Sequence, residues 1–376
     1  MHITLHLTTD CNMKCDYCYN PKDKKISMTK EIVKKALDLS RTINPINSGI
    51  IFFGGEPLLK RELIDYAFEY SDELRKMDGT FFHYKITTNG TLLDNDFIDL
   101  AVERNIGVGI SVDGIKEVHD KHRILKDDKP TFDIIESKFS NLLKTRPYSR
   151  IYMTVNPDTL DYYYDSVKYF FNKGFKYVLV SMNYGAEWTD LDLIKLKKEY
   201  KKLSKLYEEM TLDEKKFYFS PFEMKIATHI KGEDALCHRC SFGERQLSIA
   251  PNGDIYPCIQ FVQDTVVNKE EYCIGNVFDG LDEVKRMDLH LRSKVRFSEC
   301  EECINKFRCN NNCSCLNWQS TGNINTITPF LCESERILID ISDKLAERLY
   351  KKKSPMFIQK HYNVMYPFLS ILEDQN

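Results

Sequence analysis

Apolar residues in the first half of the chain gather in short runs separated by amphipathic stretches. Runs of strand length are Ile3–Leu7, Gly49–Phe53, Phe81–Thr87, Ile106–Val112, Arg150–Val155 and Lys176–Met182. Between them, apolar positions recur at helical spacing over Lys30–Thr42, Leu59–Arg75, Asn95–Arg104, Thr131–Thr145 and Tyr162–Lys173. Thr29 is a candidate N-cap for the first of these, and Asp94 or Asn95 starts the third. Gly174 stands where a helix C-terminus favours a residue free to take positive φ. Six strand–helix units predict an α/β fold with a parallel sheet, a partial (βα)6 TIM-like barrel over 1–184. In such sheets ligands collect at the C-terminal ends of the strands.

Beyond Asn183 the pattern changes. Leu191–Met210 is charged, with apolar positions at helical spacing, and Phe222–His229 is a shorter helix. Asp213-Glu214-Lys215-Lys216 marks a solvated turn, so 185–236 reads as a helical bridge. A Cys-rich domain is expected over 237–349 and a tail over 350–376. The tail is basic at Lys351-Lys352-Lys353, then aromatic at Phe357, Tyr362, Tyr366 and Phe368. It reads as a terminal helix packed on the barrel, in preference to a binding surface.

Candidate chemistry falls at the strand ends. Cys11-Asn-Met-Lys-Cys15-Asp-Tyr-Cys18 follows the first strand. Three thiolates this close can hold three irons of a four-iron cluster and leave the fourth open. An open position distinguishes a reactive metal centre from a sealed structural one. Zinc would need a fourth local ligand, whereas the next Cys is Cys237 and the nearest downstream His is His83. Phe53-Gly54-Gly55-Glu56-Pro57 follows the second strand. Its glycines either let the backbone approach a ligand with free N–H and C=O groups or form an ordinary tight turn. Thr87-Thr88-Asn89-Gly90 follows the third strand, and Ser111-Val112-Asp113-Gly114, His119, His122 and Arg123 follow the fourth. Short polar side chains there can hold a ribose and an Arg can pair a carboxylate, though Asn-Gly and Asp-Gly are also turn formers. His119 and His122 read as structural or solvent-facing.

The C-x3-C-x2-C block, with Tyr17 before its last Cys, resembles the signature of radical S-adenosylmethionine enzymes. The Gly-Gly-Glu-Pro, T-N-G and S-x-D-G segments resemble further motifs of that superfamily. The resemblance implies a 4Fe-4S cluster on Cys11, Cys15 and Cys18. Its open iron would be chelated by the amino and carboxylate groups of S-adenosylmethionine. Tyr17, Gly54, Gly55, Glu56, Pro57, Asn89, Ser111, Asp113 and Arg123 would line the cofactor pocket. One-electron cleavage of the cofactor would yield a 5′-deoxyadenosyl radical that abstracts hydrogen from a substrate carbon. No residue is identified as a catalytic acid or base.

The second half carries ten Cys in a telling order: Cys237, Cys240, then Gly253-Asp-Ile-Tyr-Pro-Cys258, Cys273, Cys300-x2-Cys303-x5-Cys309-x3-Cys313, Cys315 and Cys332. This resembles the SPASM extension and takes the resemblance from about Ile3 to about Leu349. It implies two auxiliary 4Fe-4S clusters, one on Cys237, Cys240, Cys258 and Cys313, the other on Cys300, Cys303, Cys309 and Cys332. Cys273 is the alternative to Cys237, and Cys315 is a spare thiol. Taken without the first half, these C-x2-C pairs would suit zinc equally well.

Composition narrows the function. A net charge of −3 over 376 residues gives no electrostatic support for nucleic-acid binding. No apolar run approaches a membrane span, and no signal segment precedes the first strand. Thirteen Cys in such a chain are expected as metal ligands in the cytoplasm, not disulfides. Members of the family with the extension act mostly on peptides. A maturase that closes a thioether or carbon–carbon crosslink in a ribosomally made precursor peptide is favoured. The alternative is an anaerobic sulfatase maturase making formylglycine. Those enzymes place an Asp base after the Cys of the G-x4-C element, where this chain has Ile259 and then Gln260. The implied partners are the precursor peptide and an electron donor such as ferredoxin or flavodoxin. Cys11 lies too near the start for a leader-binding module ahead of it, so leader recognition is expected from the barrel rim, the bridge, the C-terminal tail or a separate leader-binding protein. The non-enzyme alternatives are a zinc-binding protein or a three-cluster electron carrier. Iron content and colour would test the first, and turnover of S-adenosylmethionine would separate an enzyme from the second.

Overall fold

The computed structural model describes residues 2–20, 25–44, 48–232, 242–262, 269–295 and 298–375. Six parallel strands stand side by side in chain order: β1 (His2–His6), β2 (Ser48–Phe53), β3 (Phe82–Thr88), β4 (Gly107–Ser111), β5 (Arg150–Val155) and β6 (Tyr177–Met182). Short strand β7 (Tyr218–Phe219) extends the sheet beyond β6. On the other edge β8 (Gln246–Ile249) runs parallel to β1, and β9 (Ile255–Tyr256) returns antiparallel. Nine strands in the order β7-β6-β5-β4-β3-β2-β1-β8-β9 therefore form the open, partly closed barrel that six strand–helix units predict. The bridge and the Cys-rich stretch each add strands to the same sheet. A two-stranded ribbon, β10 (Gly275–Asn276) and β11 (Gly280–Leu281), lies against β9, with Ile274 N donating to Ile255 O at 2.8 Å and Val277 N to Gly253 O at 2.9 Å.

The helices follow the periodicity closely. They are α1 (Lys30–Ile43), α2 (Arg61–Asp78), α3 (Asn95–Glu103), α4 (Lys116–His122), α5 (Phe132–Thr145) and α6 (Tyr163–Asn172). Thr29 caps α1 by accepting from Ile32 N, and Asp94 caps α3 by accepting from Phe97 N. Gly174 follows α6 at φ +98°. Of these six only α4 was unforeseen, because seven residues show too little periodicity to register.

Alternation fixes the two faces of the sheet. Phe52 and Tyr84 stack and pack on Phe68 of α2, so that face meets the helices. Residues of opposite parity turn to the barrel interior: His83, Lys85 and Thr87 on β3, and Arg150, Tyr152 and Thr154 on β5.

The bridge forms α7 (Asp190–Leu212) and α8 (Ser220–Lys231). A capping box between Thr189 and Asp192 starts α7. The Cys-rich half adds α9 (Lys269–Tyr272), α10 (Glu283–Arg292), α11 (Ser298–Glu301), α12 (Ser314–Thr321) and α13 (Pro329–Lys351), and α13 packs on α7 and α8. Lys225 of α8 and Glu335 of α13 make a buried ion pair at 2.6 Å. The tail forms two helices, α14 (Pro355–Tyr362) and α15 (Tyr366–Gln375). α14 packs on α7, α8 and α13, which corrects the expected docking on the barrel. Lys360, buried against Glu223 and Phe217 O, anchors it there. Among the described residues no helix is long and apolar enough to cross a membrane.

Candidate active site

The cysteine loop leaves the C-terminal end of β1 and is pinned on two sides. On one side Lys14 N donates to Ile124 O at 2.9 Å and Lys126 N to Asn12 O at 3.1 Å. On the other lies the Gly54-Gly55-Glu56 turn. Gly55 N donates to Thr8 O at 2.7 Å and Glu56 N to Asp10 O at 2.9 Å. A Cβ on Gly54 would lie 2.4 Å from Thr8 O, and one on Gly55 would lie 2.1 Å from Asp10 O. These two N–H groups are thus spent on the chain's own backbone. The expectation of a free N–H is thereby corrected at Gly55.

Glu56 is fully buried and ties three motifs together. Its carboxylate accepts from Leu58 N at 3.0 Å, Thr88 Oγ1 at 2.7 Å and Asn89 N at 2.7 Å. Burial pushes its carboxyl above the usual range, against the pull of these donors. Pro57 opens the 3-10 turn that Glu56 caps. Asn89 then points its amide at the loop, donating to Asn12 Oδ1 at 2.9 Å and toward Cys11 Sγ at 3.7 Å.

Tyr17, Asp113 and Arg123 form a second tie. The Tyr17 hydroxyl donates to Asp113 Oδ2 and accepts from Arg123 Nη1 at 2.8 Å. The other Asp113 oxygen accepts from Thr154 N at 3.0 Å, and Asp113 has no exposed surface. Asp113 therefore holds Tyr17 in place. Arg123 is buried, and its Nε has no hydrogen-bond partner, a donor set that suits a carboxylate. Ser111 is half-buried at the end of β4.

Both histidines are buried, and neither faces solvent. His119 lies near Asp113 N and contacts Thr131 Oγ1 at 2.9 Å. His122 stands between Asp16 Oδ2 at 2.8 Å and Asp158 Oδ1 at 3.1 Å.

Cys11, Cys15 and Cys18 line one small cavity of about 110 Å³ with Met13 and Asn20. Burial pushes the Cys11 thiol up to about 12 and raises that of Cys15 as well. Burial disfavours the thiolates of Cys11 and Cys15, and a cationic metal core would offset that penalty. The donor set fits an iron–sulfur cluster.

Beside it lies a larger cavity of about 530 Å³, lined by Tyr17, Cys18, His122, Asn156, Asn183 and Gln319 among others. Asn156 and Asn183 directly follow β5 and β6, and Asn183 Nδ2 donates to Asn156 Oδ1 at 2.8 Å. Sequence reasoning passed over both, although their position just beyond strand ends was the available signal. Gln319 comes from α12, so the Cys-rich half closes this cavity, which local sequence could not reveal.

In that half, Cys300, Cys303, Cys309 and Cys332 converge on a cavity of about 90 Å³ with Glu335 and Arg336. Burial pushes Cys309 up to about 12. Cys315, the expected spare thiol, is buried and hydrogen-bonded to both Cys258 and Cys313. The hydrogen bond from Cys315 pulls Cys313 down to about 7. The Cys273 thiol donates to Gly275 O at 3.3 Å, turned to its own backbone. Cys237 and Cys240 lie outside the described residues. The phenol of Tyr19 is buried between Cys18 and the Cys258–Cys315 group, which is where the two halves meet.

A family model for the Radical SAM superfamily matches residues 5–200. A cysteine-type anaerobic sulfatase-maturating enzyme of Clostridium novyi is 27% identical over 292 residues, 72% of this chain and 74% of that one. The antilisterial bacteriocin subtilosin biosynthesis protein AlbA of Bacillus subtilis is 26% identical over 74% of this chain and 57% of its own length. Among solved structures, anSMEcpe with bound AdoMet superposes with a TM-score of 0.78 at 20% identity. That match covers 93% of this chain and 99% of the other, and it shows the shared fold.

Proposed function

The chain belongs to the radical SAM superfamily, and on that premise we propose that it is a maturase of a ribosomally made precursor peptide, closing a thioether or carbon–carbon crosslink. The observation that carries this reading is Ile259. It opens the short turn Ile259–Phe261 directly after Cys258, where the sulfatase-maturase pattern has an Asp. Formylglycine formation needs a base within hydrogen-bond reach of the substrate's side chain, and an isoleucine has no proton-accepting atom. The bacteriocin role of AlbA points the same way. The second reading is sulfatase maturation, favoured by the extent of likeness to the Clostridium novyi enzyme and to anSMEcpe.

In this proposal Cys11, Cys15 and Cys18 hold a 4Fe-4S cluster, with S-adenosylmethionine among Gly54–Pro57, Asn89, Ser111 and Arg123. When bound, the pair supplies a hydrogen-abstracting radical. The chain's own part is to place the cofactor and peptide together in the larger cavity and keep water out. Cys258 and Cys313, with Cys237 and Cys240, hold one auxiliary cluster. Cys300, Cys303, Cys309 and Cys332 hold the other. The assigned division is 1–184 barrel, 185–236 bridge, 237–349 SPASM region and 350–376 tail. Ferredoxin or flavodoxin in the cytoplasm is the proposed electron source.

Two measurements test this. Iron and sulfide analysis should give about twelve irons per chain if each cluster has four. A value near four with zinc present rejects the auxiliary clusters. The reconstituted enzyme should take two hydrogens from a Cys-containing precursor peptide without creating a hydrazide-reactive aldehyde. Efficient aldehyde formation on a sulfatase-type peptide would favour the second reading.

A further inference from the structure

The barrel end opposite the cysteine loop carries a cluster of cations that the proposed reaction does not use. Lys85 of β3 and Arg150 of β5 point inward from strands that flank β4, whose sequence begins Gly107-Val-Gly109. Lys85 pairs in register with Gly107, and Gly109 with Arg150. A Cβ on Gly107 would lie 3.1 Å from Arg150 Nη1 and 3.3 Å from Lys85 Cγ. The missing side chain is thus what lets the two long cations approach each other.

Among the described residues no ion pair joins either to a carboxylate, and Arg150 only lies over the Tyr177 ring at 5.8 Å. Three carboxylates of neighbouring elements are paired with other cations: Asp78 with Arg41, Glu103 with Arg104 and Asp213 with Lys215. Further basic groups surround the mouth. Arg146 donates to Asn105 Oδ1, and Lys176 lies over the Tyr148 ring at 4.5 Å. Burial and the Arg150 charge both push the Lys85 ammonium down, as expected where like charges meet without a counter-ion.

We propose that this mouth of the barrel is an anion site, in which Lys85 and Arg150 hold a small oxyanion or a carboxylate beside Gly107. Arginine offers a planar fork and lysine a point charge, a pair suited to phosphate or carboxylate oxygens. The ligand is either a free oxyanion or an acidic side chain of a peptide. The site lies away from the cysteine loop, so its occupancy does not depend on which bond the enzyme makes.

Calorimetric titration of the reconstituted full chain with inorganic phosphate tests the proposal, followed by competition with a capped tetraglutamate peptide. Wild type should bind one phosphate per chain, weakened about tenfold or more by Lys85→Met and by Arg150→Met. Removing unpaired like charges should not lower the melting temperature. If either variant fails to fold, Gly107→Ala keeps both charges, fills the space between them and should weaken binding as well. Lys76→Met, on exposed α2 surface, should change nothing. Displacement by tetraglutamate assigns the site to peptide carboxylates, and resistance to it assigns the site to a free oxyanion. No binding by wild type, or undiminished binding by the Lys85→Met/Arg150→Met double variant, overturns the proposal.

Discussion

Substituting Gly55 by alanine tests whether the glycine pair serves the cysteine loop or the cofactor. Its Cβ would sit 2.1 Å from Asp10 O and 2.6 Å from Asp10 C, both backbone atoms, so no side chain can swing aside. Restoring an ordinary contact of 3.4 Å moves the loop by about 1.3 Å. That shift breaks the bonds from Gly55 N to Thr8 O and from Glu56 N to Asp10 O. Each such bond contributes about 1 kcal/mol net, and overpacking adds about 1–3 kcal/mol. The expected loss is therefore roughly 3–5 kcal/mol. Misplacing a reacting group by about 1 Å costs on the order of a hundredfold in rate. The Gly55→Ala enzyme should lose iron at the first cluster and cleave S-adenosylmethionine about a hundredfold more slowly. Gly79→Ala is the control. It ends α2 at φ +81° with nothing within 4 Å of the added carbon, and should cost about 1 kcal/mol without changing cleavage. Anaerobic iron analysis, the spectrum of the reduced cluster and chromatographic assay of 5′-deoxyadenosine supply the readouts. Full iron with only a raised KM for S-adenosylmethionine would mean that Gly55 touches the cofactor, and the packing argument would fail.

Two further outcomes follow from buried charge. His6 is buried with neither ring nitrogen bonded, and burial pushes it down to about 3. The unfolded state then takes up a proton below pH 6.5 while the folded state does not. Stability should accordingly fall as pH drops from 6.5 toward 3, by about 2 kcal/mol at pH 5. Melting curves at pH 7 and pH 5 should diverge between wild type and His6→Leu, and parallel curves would refute a neutral buried imidazole. Lys225→Met leaves Glu335 buried without its cation and should cost about 3–5 kcal/mol, while Lys225→Met/Glu335→Leu should recover much of it. Denaturant midpoints check this, and additive losses in the double variant would show that the two residues do not act as a pair.

Strand and helix positions were legible because both periodicities are local. β5 matches its predicted span, and Thr29 and Asp94 cap the helices they were expected to cap. The first cysteine block was legible for the same reason, since its three thiols lie on one loop whose spacing alone brings them to a common cavity. The role of the second motif was not. Gly54 and Gly55 read in the sequence as a ligand cradle or a tight turn, and only the fold of β2 beside β1 shows that they also admit the backbone of Thr8 and Asp10.

Chain order therefore determined the parallel strands and the first thiol cluster, because a run of a few residues contains everything those features need. Tertiary structure decided what lies far apart in sequence. It added β8 to the edge of β1, brought Gln319 of α12 over the larger cavity and set Tyr19 beside Cys258 and Cys315. It also decided which N–H groups and thiols were already spent. Hydrogen-bond partners such as Asp10 O for Glu56 N exist only once the chain has folded back on itself.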